Sequence, residues 1–415
     1  MSSNDNTEPK KLYDDLNLIF KNNPNINEIG FVISTKDYDG LENKPFVVVE
    51  NKLGFSFLWL TKLYSFCFHR FIELKNDFDS LINEFLKIKV DDTIFKSTSD
   101  LIEKLIEATR NVLSINAENV TALNQRKKLI ILEMVDHQTE INLLNLIFTK
   151  HPKSGEGWAH RKWIYTDYYK KTNQYLSYQI ELDVCKRVAE IYPKNYYAWT
   201  HRWWILKNLS IELFLKDLEL MEDWIKRNIS DYCGYHHRYL ILTTLFKIFF
   251  NIKDGKDPQI DEIEFSNQVL NENLFLEIWS KEFKFIEKVI KMYPGHESPW
   301  NYKRTISLFW LENSELISKS SHSNLLLPIT SVYKECLFVH SIIQDNESSY
   351  YLKQKSFAED YLSSIYQVYN KDYLGDSNFN LETLKQNYTK LITQLKKSNP
   401  DKINVFDYKI NKFTK

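Results

Sequence analysis

Glycine and proline are scarce in this chain, whose 415 residues include only 9 glycines and 10 prolines. A protein built mainly of short strands would need more of both, because these residues supply many of the turns between strands. The scarcity therefore favours long helices. Long apolar segments are also missing, since the most apolar stretch, residues 55–74, is interrupted by Lys62, His69 and Arg70. We interpret this stretch as a buried helix and expect no membrane span.

The chain has few cysteines and almost no net charge. Its 4 cysteines lie far apart, and no two have the spacing of a zinc site. Because no amino-terminal signal sequence is evident, we expect reduced thiols and a cytoplasmic location. A formal net charge of −1 argues against a nucleic-acid-binding protein, which needs a basic domain or stripe. The short motifs of phosphate loops, dinucleotide folds, serine hydrolases and zinc proteases are absent as well. By itself the chain does not look like a complete enzyme.

What the chain does contain is a repeated segment in which a large apolar residue precedes a basic residue by three positions. The clearest example is IYPKNYYAWTHRWWIL at 191–206, where Trp199 and Arg202 share one helix face. Four further pairs occur: Leu123 with Arg126, Trp158 with Arg161, Tyr235 with Arg238, and Trp300 with Lys303. The apolar members are 35, 41, 36 and 65 residues apart in chain order. This spacing predicts tandem helical hairpins with an insertion in the last interval.

We therefore predict an all-α superhelix, a solenoid of helical hairpins, in three parts. Residues 1–98 form an amino-terminal extension, residues 99–312 form five hairpins with an insert at 251–271, and residues 313–415 form degenerate helices and a tail. The extension carries the only strong β signals, EIGFVIS at 28–34 and PFVVVE at 45–50. Two such runs separated by a polar loop predict a small β hairpin. Helices are predicted to follow at 55–74 and 78–88.

The repeated residues are predicted to hold the hairpins together. The tryptophans are expected to pack in the core, and each arginine to stack on a ring or to bind a backbone carbonyl of the neighbouring helix. The structural anchors are Trp158, Arg161, Trp199, Arg202, Tyr235, Arg238 and Trp300. Four histidines lie in the same segments, namely His160, His201, His236 and His237. No carboxylate or thiol lies near them at the spacing of metal ligands. We expect neutral histidines that form hydrogen bonds at the edge of the stack, with no metal site.

Two lysines follow proline at equivalent places in the second and third hairpins. Lys153 and Lys194 are each expected to be solvated at a helix start. The alternative is a binding role, because the turns of consecutive hairpins line one edge of a solenoid. In that case Lys194, with Tyr196 and Tyr197 beside it, would meet an anionic group.

The repeated segment resembles the α-subunit repeat of protein prenyltransferases. KNYYAWTHR at 194–202 and PGHESPWNY at 294–302 fit the two characteristic forms of that repeat, and the likeness extends over residues 100–312. The amino-terminal segments NP at 23–24, NEIG at 27–30 and VVENKLG at 48–54 resemble the branch of alpha subunit repeat-containing proteins. That branch is separate from the α subunits of the farnesyl and Rab-type enzymes.

The resemblance implies an α-type subunit that wraps a prenyltransferase β subunit of the Rab-type geranylgeranyl class. In the family, the β subunit is an α–α barrel that holds the catalytic zinc, so no metal or cofactor is expected in this chain. The implied reaction transfers an isoprenoid, geranylgeranyl in preference to farnesyl, from its diphosphate to a cysteine of a protein substrate. The implied partners are therefore the β subunit, the isoprenoid diphosphate and that protein substrate.

The resemblance also implies two candidate catalytic residues. Lys194 matches the family lysine that points at the isoprenoid diphosphate, and Tyr196 matches a tyrosine that lines the same edge. Glu156 departs from the pattern, because it puts an acid into the turn next to the site of a peptide carboxylate. This departure argues against ordinary recognition of a carboxy-terminal CaaX motif and favours a substrate presented by a partner.

Two other readings remain open. The chain could be a helical-repeat scaffold that has kept the fold without the enzyme, with the amino-terminal β region and the insert as docking devices. A tetratricopeptide-like peptide-binding module is the third reading, but the step of 41 residues and the Trp-x-His-Arg pattern speak against it.

Overall fold

The computed structural model describes residues 7–33, 44–85, 92–207, 209–252, 270–313, 316–317, 332–343 and 349–368, together with residues 386 and 393. The chain divides into two compact units, Met1–Arg202 and Trp203–Lys415. None of the described helices is long and apolar enough to cross a membrane.

The amino-terminal unit contains eight of the described helices and one small sheet. The helices are α1 Thr7–Asn22, α2 Leu60–Phe85, α3 Asp92–Ile115, α4 Val120–Ile131, α5 His137–Lys150, α6 Gly155–Thr172, α7 Tyr178–Ile191 and α8 Tyr196–Leu206, the last of which continues into the second unit. Helix α2 is one continuous element where the sequence predicted two. Helices α3 and α4, α5 and α6, and α7 and α8 form three consecutive hairpins.

The sheet has three strands in the order β1-β3-β2, where β1 is Glu28–Val32, β2 is Phe46–Val49 and β3 is Lys52–Ser56. Strand β1 runs parallel to β3, and β2 runs antiparallel to it. The predicted hairpin between 28–34 and 45–50 is therefore wrong, because β3 lies between these two segments. The real hairpin joins β2 to β3 through a turn in which Glu50 has a φ of 52°.

The sequence missed β3 because Gly54 lowers its strand signal and Phe55 was assigned to the following helix. Gly54 is required by a close approach, since a Cβ at this position would lie 2.8 Å from the Val32 side chain. Leu53 and Phe55 alternate with Gly54 and are both buried, together with Ile29 on β1. Burial of this alternating apolar set determines the register of the sheet.

The sheet is attached to the end of α5. The Ile29 backbone N–H donates a 3.0 Å hydrogen bond to Thr149 Oγ1. The Phe31 ring lies 5.8 Å from the His151 ring, and the Lys150 ammonium lies 4.2 Å from the centre of the Phe31 ring. The amino-terminal extension is thus packed against the turn of the second hairpin.

Among its described residues, the carboxy-terminal unit contains two further hairpins and one more helix pair. Their helices are α9 Ile211–Arg227, α10 Tyr232–Phe249, α11 Glu272–Met292, α12 Glu297–Glu312, α13 Val332–Ile343 and α14 Ser349–Val368. The predicted all-α class, built of tandem helical hairpins, is confirmed for the described residues, with a small sheet added. Most of the predicted insert at 251–271 and nearly all of the predicted carboxy-terminal part after residue 368 lie outside the described residues.

Polar side chains start many of these helices. The side chain of the preceding residue accepts a hydrogen bond from a backbone N–H of the first turn at Asn119, Asp136, Ser154, Ser210, Asp231 and Asn271. Each such cap is worth about 1 kcal/mol. The caps determine where each helix begins, and hence where the turn between two helices exposes its residues.

Candidate functional site

Each repeated tryptophan lies in the core near the start of the second helix of its hairpin. Trp158 stacks on Phe148 with ring centres 4.2 Å apart, and its Nε1 donates a 3.0 Å hydrogen bond to the Pro152 carbonyl. Trp300 donates in the same way to Gln354 Oε1, at 3.1 Å. These rings hold the turn that precedes them as well as the core beneath them.

The arginines of the first two hairpins bind buried carboxylates. Arg126 Nε lies 2.6 Å from Glu140 Oε2. Arg161 binds both carboxylate oxygens of Glu181, with 2.7 Å between Nε and Oε2. The predicted ring and carbonyl partners are present as well, since Arg126 Nη1 lies 3.4 Å from the Ile106 carbonyl oxygen and the Arg161 guanidinium lies 5.7 Å from the centre of the Phe148 ring. The carboxylates were not predicted, and each comes from the first helix of the next hairpin. Arg202 does bind a carbonyl, that of Leu182, at 2.7 Å.

The histidines of the same unit bind the same carboxylates from the other side. His160 Nε2 lies 2.8 Å from Glu140 Oε1, and His201 Nε2 lies 2.9 Å from Glu181 Oε2. Both imidazoles are buried, so their predicted place at the edge of the stack is wrong. Burial lowers the pKa of both histidines, although the carboxylate hydrogen bonds oppose this shift. A neutral imidazole therefore donates its Nε2 proton to each carboxylate.

The carboxy-terminal unit repeats this arrangement with substitutions. His237 Nε2 lies 2.6 Å from Asp217 Oδ2, and Arg238 binds both carboxylate oxygens of Glu282. In the next hairpin Tyr302 occupies the histidine position, and its Oη donates a 2.6 Å hydrogen bond to Glu282 Oε1. Lys303 occupies the arginine position and lies 2.8 Å from Glu335. His236, by contrast, is exposed.

Sequence reasoning missed these carboxylates, although a sequence signal for them exists. Each histidine or tyrosine partner lies 20 residues after its carboxylate, in four pairs: 140 with 160, 181 with 201, 217 with 237, and 282 with 302. The step of 20 residues is constant because it spans the same parts of each hairpin: the rest of the first helix, the turn, and the beginning of the second helix. The arrangement is a core cross-link, because every member is buried.

Two tyrosines of the carboxy-terminal unit provide a matched test of these cross-links. Tyr302→Phe removes a buried donor to Glu282 and is expected to lower the free energy of unfolding by about 1.5–3 kcal/mol. Tyr235 is also buried, but its hydroxyl has no hydrogen-bond partner among the described residues. Tyr235→Phe is therefore expected to be neutral or stabilising by about 1 kcal/mol. Urea unfolding of both variants checks this, and equal losses would contradict it.

The candidate catalytic residues lie at the turn before α8. Lys194 is exposed and has a φ of 60°, a left-handed conformation that is uncommon outside glycine and asparagine. Asn195 is fully buried. Its Nδ2 donates a 2.7 Å hydrogen bond to the Pro152 carbonyl, and its Oδ1 accepts one from the Ala198 N–H at 3.2 Å. Tyr196 begins the helix with 52% of its surface exposed.

The turn of the preceding hairpin completes this surface. The Tyr197 ring covers the start of α6, where a Cβ on Gly155 would lie 3.1 Å from the Tyr197 hydroxyl oxygen. The Lys153 ammonium lies 4.0 Å from the centre of the Tyr192 ring. Lys194 and Tyr196 therefore share one exposed edge with Lys153 and Tyr192. Among the described residues no three histidine, cysteine or acidic side chains cluster in a way that could hold a metal ion.

Comparisons with known proteins agree with the repeat pattern. The family profile described as "Protein prenyltransferase alpha subunit repeat" matches residues 137–168, 178–209, 214–245 and 279–309. These four segments fall on the hairpins α5–α6, α7–α8, α9–α10 and α11–α12. The first predicted hairpin, which carries Leu123 in place of tryptophan, lies outside the match.

Curated relatives and a solved structure are also similar. The human Protein prenyltransferase alpha subunit repeat-containing protein 1 is 28% identical over 336 residues, which cover 73% of this chain and 78% of that protein. The protein of the same name from Danio rerio is 27% identical over 328 residues, 72% of each chain. Candida albicans protein geranylgeranyltransferase-I complexed with GGPP has a TM-score of 0.47 and 18% sequence identity, over 75% of this chain and 84% of that one. The chain thus contains four segments that match the protein prenyltransferase alpha subunit repeat, and it is similar to the alpha subunit repeat-containing proteins.

Proposed function

We propose that this chain is the α-type subunit of a heterodimeric protein prenyltransferase. The complex would transfer an isoprenoid, geranylgeranyl in preference to farnesyl, from its diphosphate to a cysteine thiol of a protein substrate in the cytoplasm. The observation that carries the proposal is the set of four family repeats, one of which presents Lys194 and Tyr196 at an exposed turn. A Rab-type β subunit would supply the zinc that activates the acceptor thiolate.

The backbone at Lys194 supports a role for this turn. A left-handed conformation costs a residue with a Cβ about 1–3 kcal/mol, and such strain persists where the surroundings impose it. Here the buried Asn195 imposes it, through its hydrogen bonds to Pro152 and Ala198. An exposed ammonium on a fixed turn can stabilise the negative charge that builds on a leaving diphosphate. Tyr196, which is exposed at the adjacent position, would contact the same anion through its hydroxyl.

A non-catalytic scaffold is the second candidate function. The observation that favours it is the exposed apolar surface of the amino-terminal extension, where Phe57 and Leu58 are 61% and 66% exposed and Val49 is 59% exposed. Exposed apolar side chains that are adjacent in the sequence, such as Phe57 and Leu58, are typical of protein-binding surfaces. The names of the curated relatives state that they contain the repeat and assign them no enzymatic activity, which is compatible with a scaffold.

Assembly and turnover distinguish the two functions. The full chain is purified with an affinity tag from its own cells, and the proteins present in equal amounts are identified. We expect a zinc-containing prenyltransferase β subunit, and geranylgeranyl transfer by the complex but not by the chain alone. A chain that purifies without such a subunit, and that transfers nothing when β subunits are supplied, would establish the scaffold.

Lys194→Ala tests the candidate site within the assembled complex. Loss of one group that stabilises charge in the transition state lowers kcat by about 10²–10³-fold. We therefore expect a fall in kcat of about 10²-fold with the heterodimer intact, and partial recovery with Lys194→Arg. Lys186→Ala removes an exposed lysine from α7 and serves as the matched control. Unchanged turnover in Lys194→Ala would show that Lys194 is a solvated surface lysine without a catalytic role.

A further inference from the structure

A groove of about 570 Å³ lies beside the candidate site, at the turns of the first three hairpins. The apolar part of its lining consists of Ile115, Ala117, Pro152, Ile191 and Tyr192. The volume is within the range of sites that bury a small ligand or a few side chains. Neither Lys194 nor Tyr196 lines the groove, so it is separate from the proposed diphosphate contact.

Hydrogen bonds beneath the groove hold its shape. Ser154 Oγ donates a 3.2 Å hydrogen bond to the Ala117 carbonyl, and His151 Nε2 lies 2.9 Å from the Ser114 carbonyl. Both contacts join the turn of the second hairpin to the end of α3. A ligand would therefore meet a surface that is already formed, which lowers the entropic cost of binding.

Two lysines give the groove its anionic preference. The Lys150 ammonium rests on the Phe31 ring at 4.2 Å, and the Lys153 ammonium rests on the Tyr192 ring at 4.0 Å. Both lysines line the groove, and among the described residues neither forms an ion pair. An ammonium on an aromatic face keeps its outer N–H donors available. A carboxylate in the groove would supply the partner that these donors lack.

The remaining lining favours a peptide over a simple anion. Helices α3, α5 and α7 end at the groove, at Ile115, Lys150 and Ile191. The last carbonyl groups of a helix have no partner within it, and they carry the negative end of the helix dipole. The exposed carboxylate of Glu118 adds another acceptor. These groups can accept hydrogen bonds from the backbone N–H groups of a peptide.

We infer that this groove binds an extended peptide segment of a protein partner in which an acidic side chain is flanked by large apolar ones. The acidic group pairs with Lys150 and Lys153, the apolar side chains cover Ile191 and Pro152, and the peptide N–H groups face the helix ends. This binding does not require catalysis and holds for a prenyltransferase subunit or for a scaffold. If the chain proves not to be a prenyltransferase subunit, the inference about peptide binding is unaffected.

The test measures fluorescence anisotropy of the full chain with a pool of labelled, end-blocked octapeptides. The pool has glutamate at its central position and leucine, isoleucine or phenylalanine on both sides. A matched pool has glutamine in place of glutamate. We expect saturable binding of the glutamate pool, and binding at least 10-fold weaker for the glutamine pool. The double variant Lys150→Gln with Lys153→Gln should lose the difference between the pools.

Controls separate this result from nonspecific attraction. Lys186→Gln removes an exposed lysine outside the groove and should change the affinity less than 2-fold. Equal binding of the two pools, or no saturable binding, would overturn the inference. Binding of inorganic phosphate or of phosphatidylserine vesicles, abolished by the double variant while peptides fail to bind, would also overturn it.

Discussion

Glu181→Ala is expected to lower the free energy of unfolding of the amino-terminal unit by about 3–5 kcal/mol. Glu181 is fully buried and accepts hydrogen bonds from Arg161 on one side and His201 on the other. Its removal leaves the buried guanidinium of Arg161 without a countercharge, and the cost of a desolvated charge exceeds that of the lost contact. Urea unfolding, followed by the near-ultraviolet signal of the tryptophans, measures the loss.

Two further variants show whether the buried charge is the cause. Glu190→Ala changes an exposed residue on the same helix and should alter stability by less than about 0.5 kcal/mol. Arg161→Met combined with Glu181→Leu removes both charges and should recover much of the loss, because an apolar pair of similar volume can replace a buried ion pair. A double variant as unstable as Glu181→Ala would show that packing, and not the charge, carries the effect.

The pH dependence of the same variant follows from the pKa of Glu181. Burial alone would raise this pKa, but the charge of Arg161 and the hydrogen bonds from Arg161 and His201 more than offset burial and hold it well below its usual range. A lowered carboxyl pKa contributes stability that is complete above the unfolded value of about 4.3 and is lost as the pH falls further. The difference between wild type and Glu181→Ala should therefore shrink below about pH 4.

Trp158→Ala is expected to cost about 3–5 kcal/mol, the usual cost of emptying a large buried aromatic site. The ring stacks on Phe148 at 4.2 Å and lies 5.1 Å from the His201 ring, so its neighbours cannot readily fill the cavity. The variant also loses the hydrogen bond to the Pro152 carbonyl. Unfolding by urea measures the total effect on stability.

Variants of two tryptophans on α6 separate the contribution of the hydrogen bond from that of the buried ring. Trp158→Phe keeps a stacked ring but loses the hydrogen bond, which is worth about 1 kcal/mol. The total loss in free energy of unfolding should therefore be less than half of that caused by Trp158→Ala. Trp163→Ala makes the same change on the same helix at a partly exposed ring, and it should cost less than Trp158→Ala. Equal losses at the two tryptophans would mean that the repeated position is not a special anchor.

The repeat pattern of this chain was sufficient to predict its hairpins. The recurrence of a large apolar residue and a basic residue on one helix face reports which face is buried, and burial of a face is a property of local sequence. Trp158, Trp199 and Trp300 are accordingly buried. The same local information failed at β3, because the parallel pairing of β1 with β3 joins segments that only the folded chain brings together.

The candidate site depends on contacts between hairpins. Asn195 binds the Pro152 carbonyl across 43 residues, and this contact gives the turn at Lys194 its exposure and its left-handed backbone. Local pattern could place Lys194 only at a helix start, and the family resemblance supplied its candidate role. The sequence by itself therefore determined the helical periodicity, the buried faces and the match to the alpha subunit repeat.

Only the tertiary structure decided which charges meet in the core. Arg161 finds its carboxylate 20 residues later, whereas Arg238 finds its own 44 residues later. The connections between hairpins differ in length, so a constant spatial step corresponds to a variable sequence step. Which charged residues pair across two adjacent hairpins depends on how the hairpins stack. The stacking depends on packing over the whole interface, which no local sequence pattern specifies.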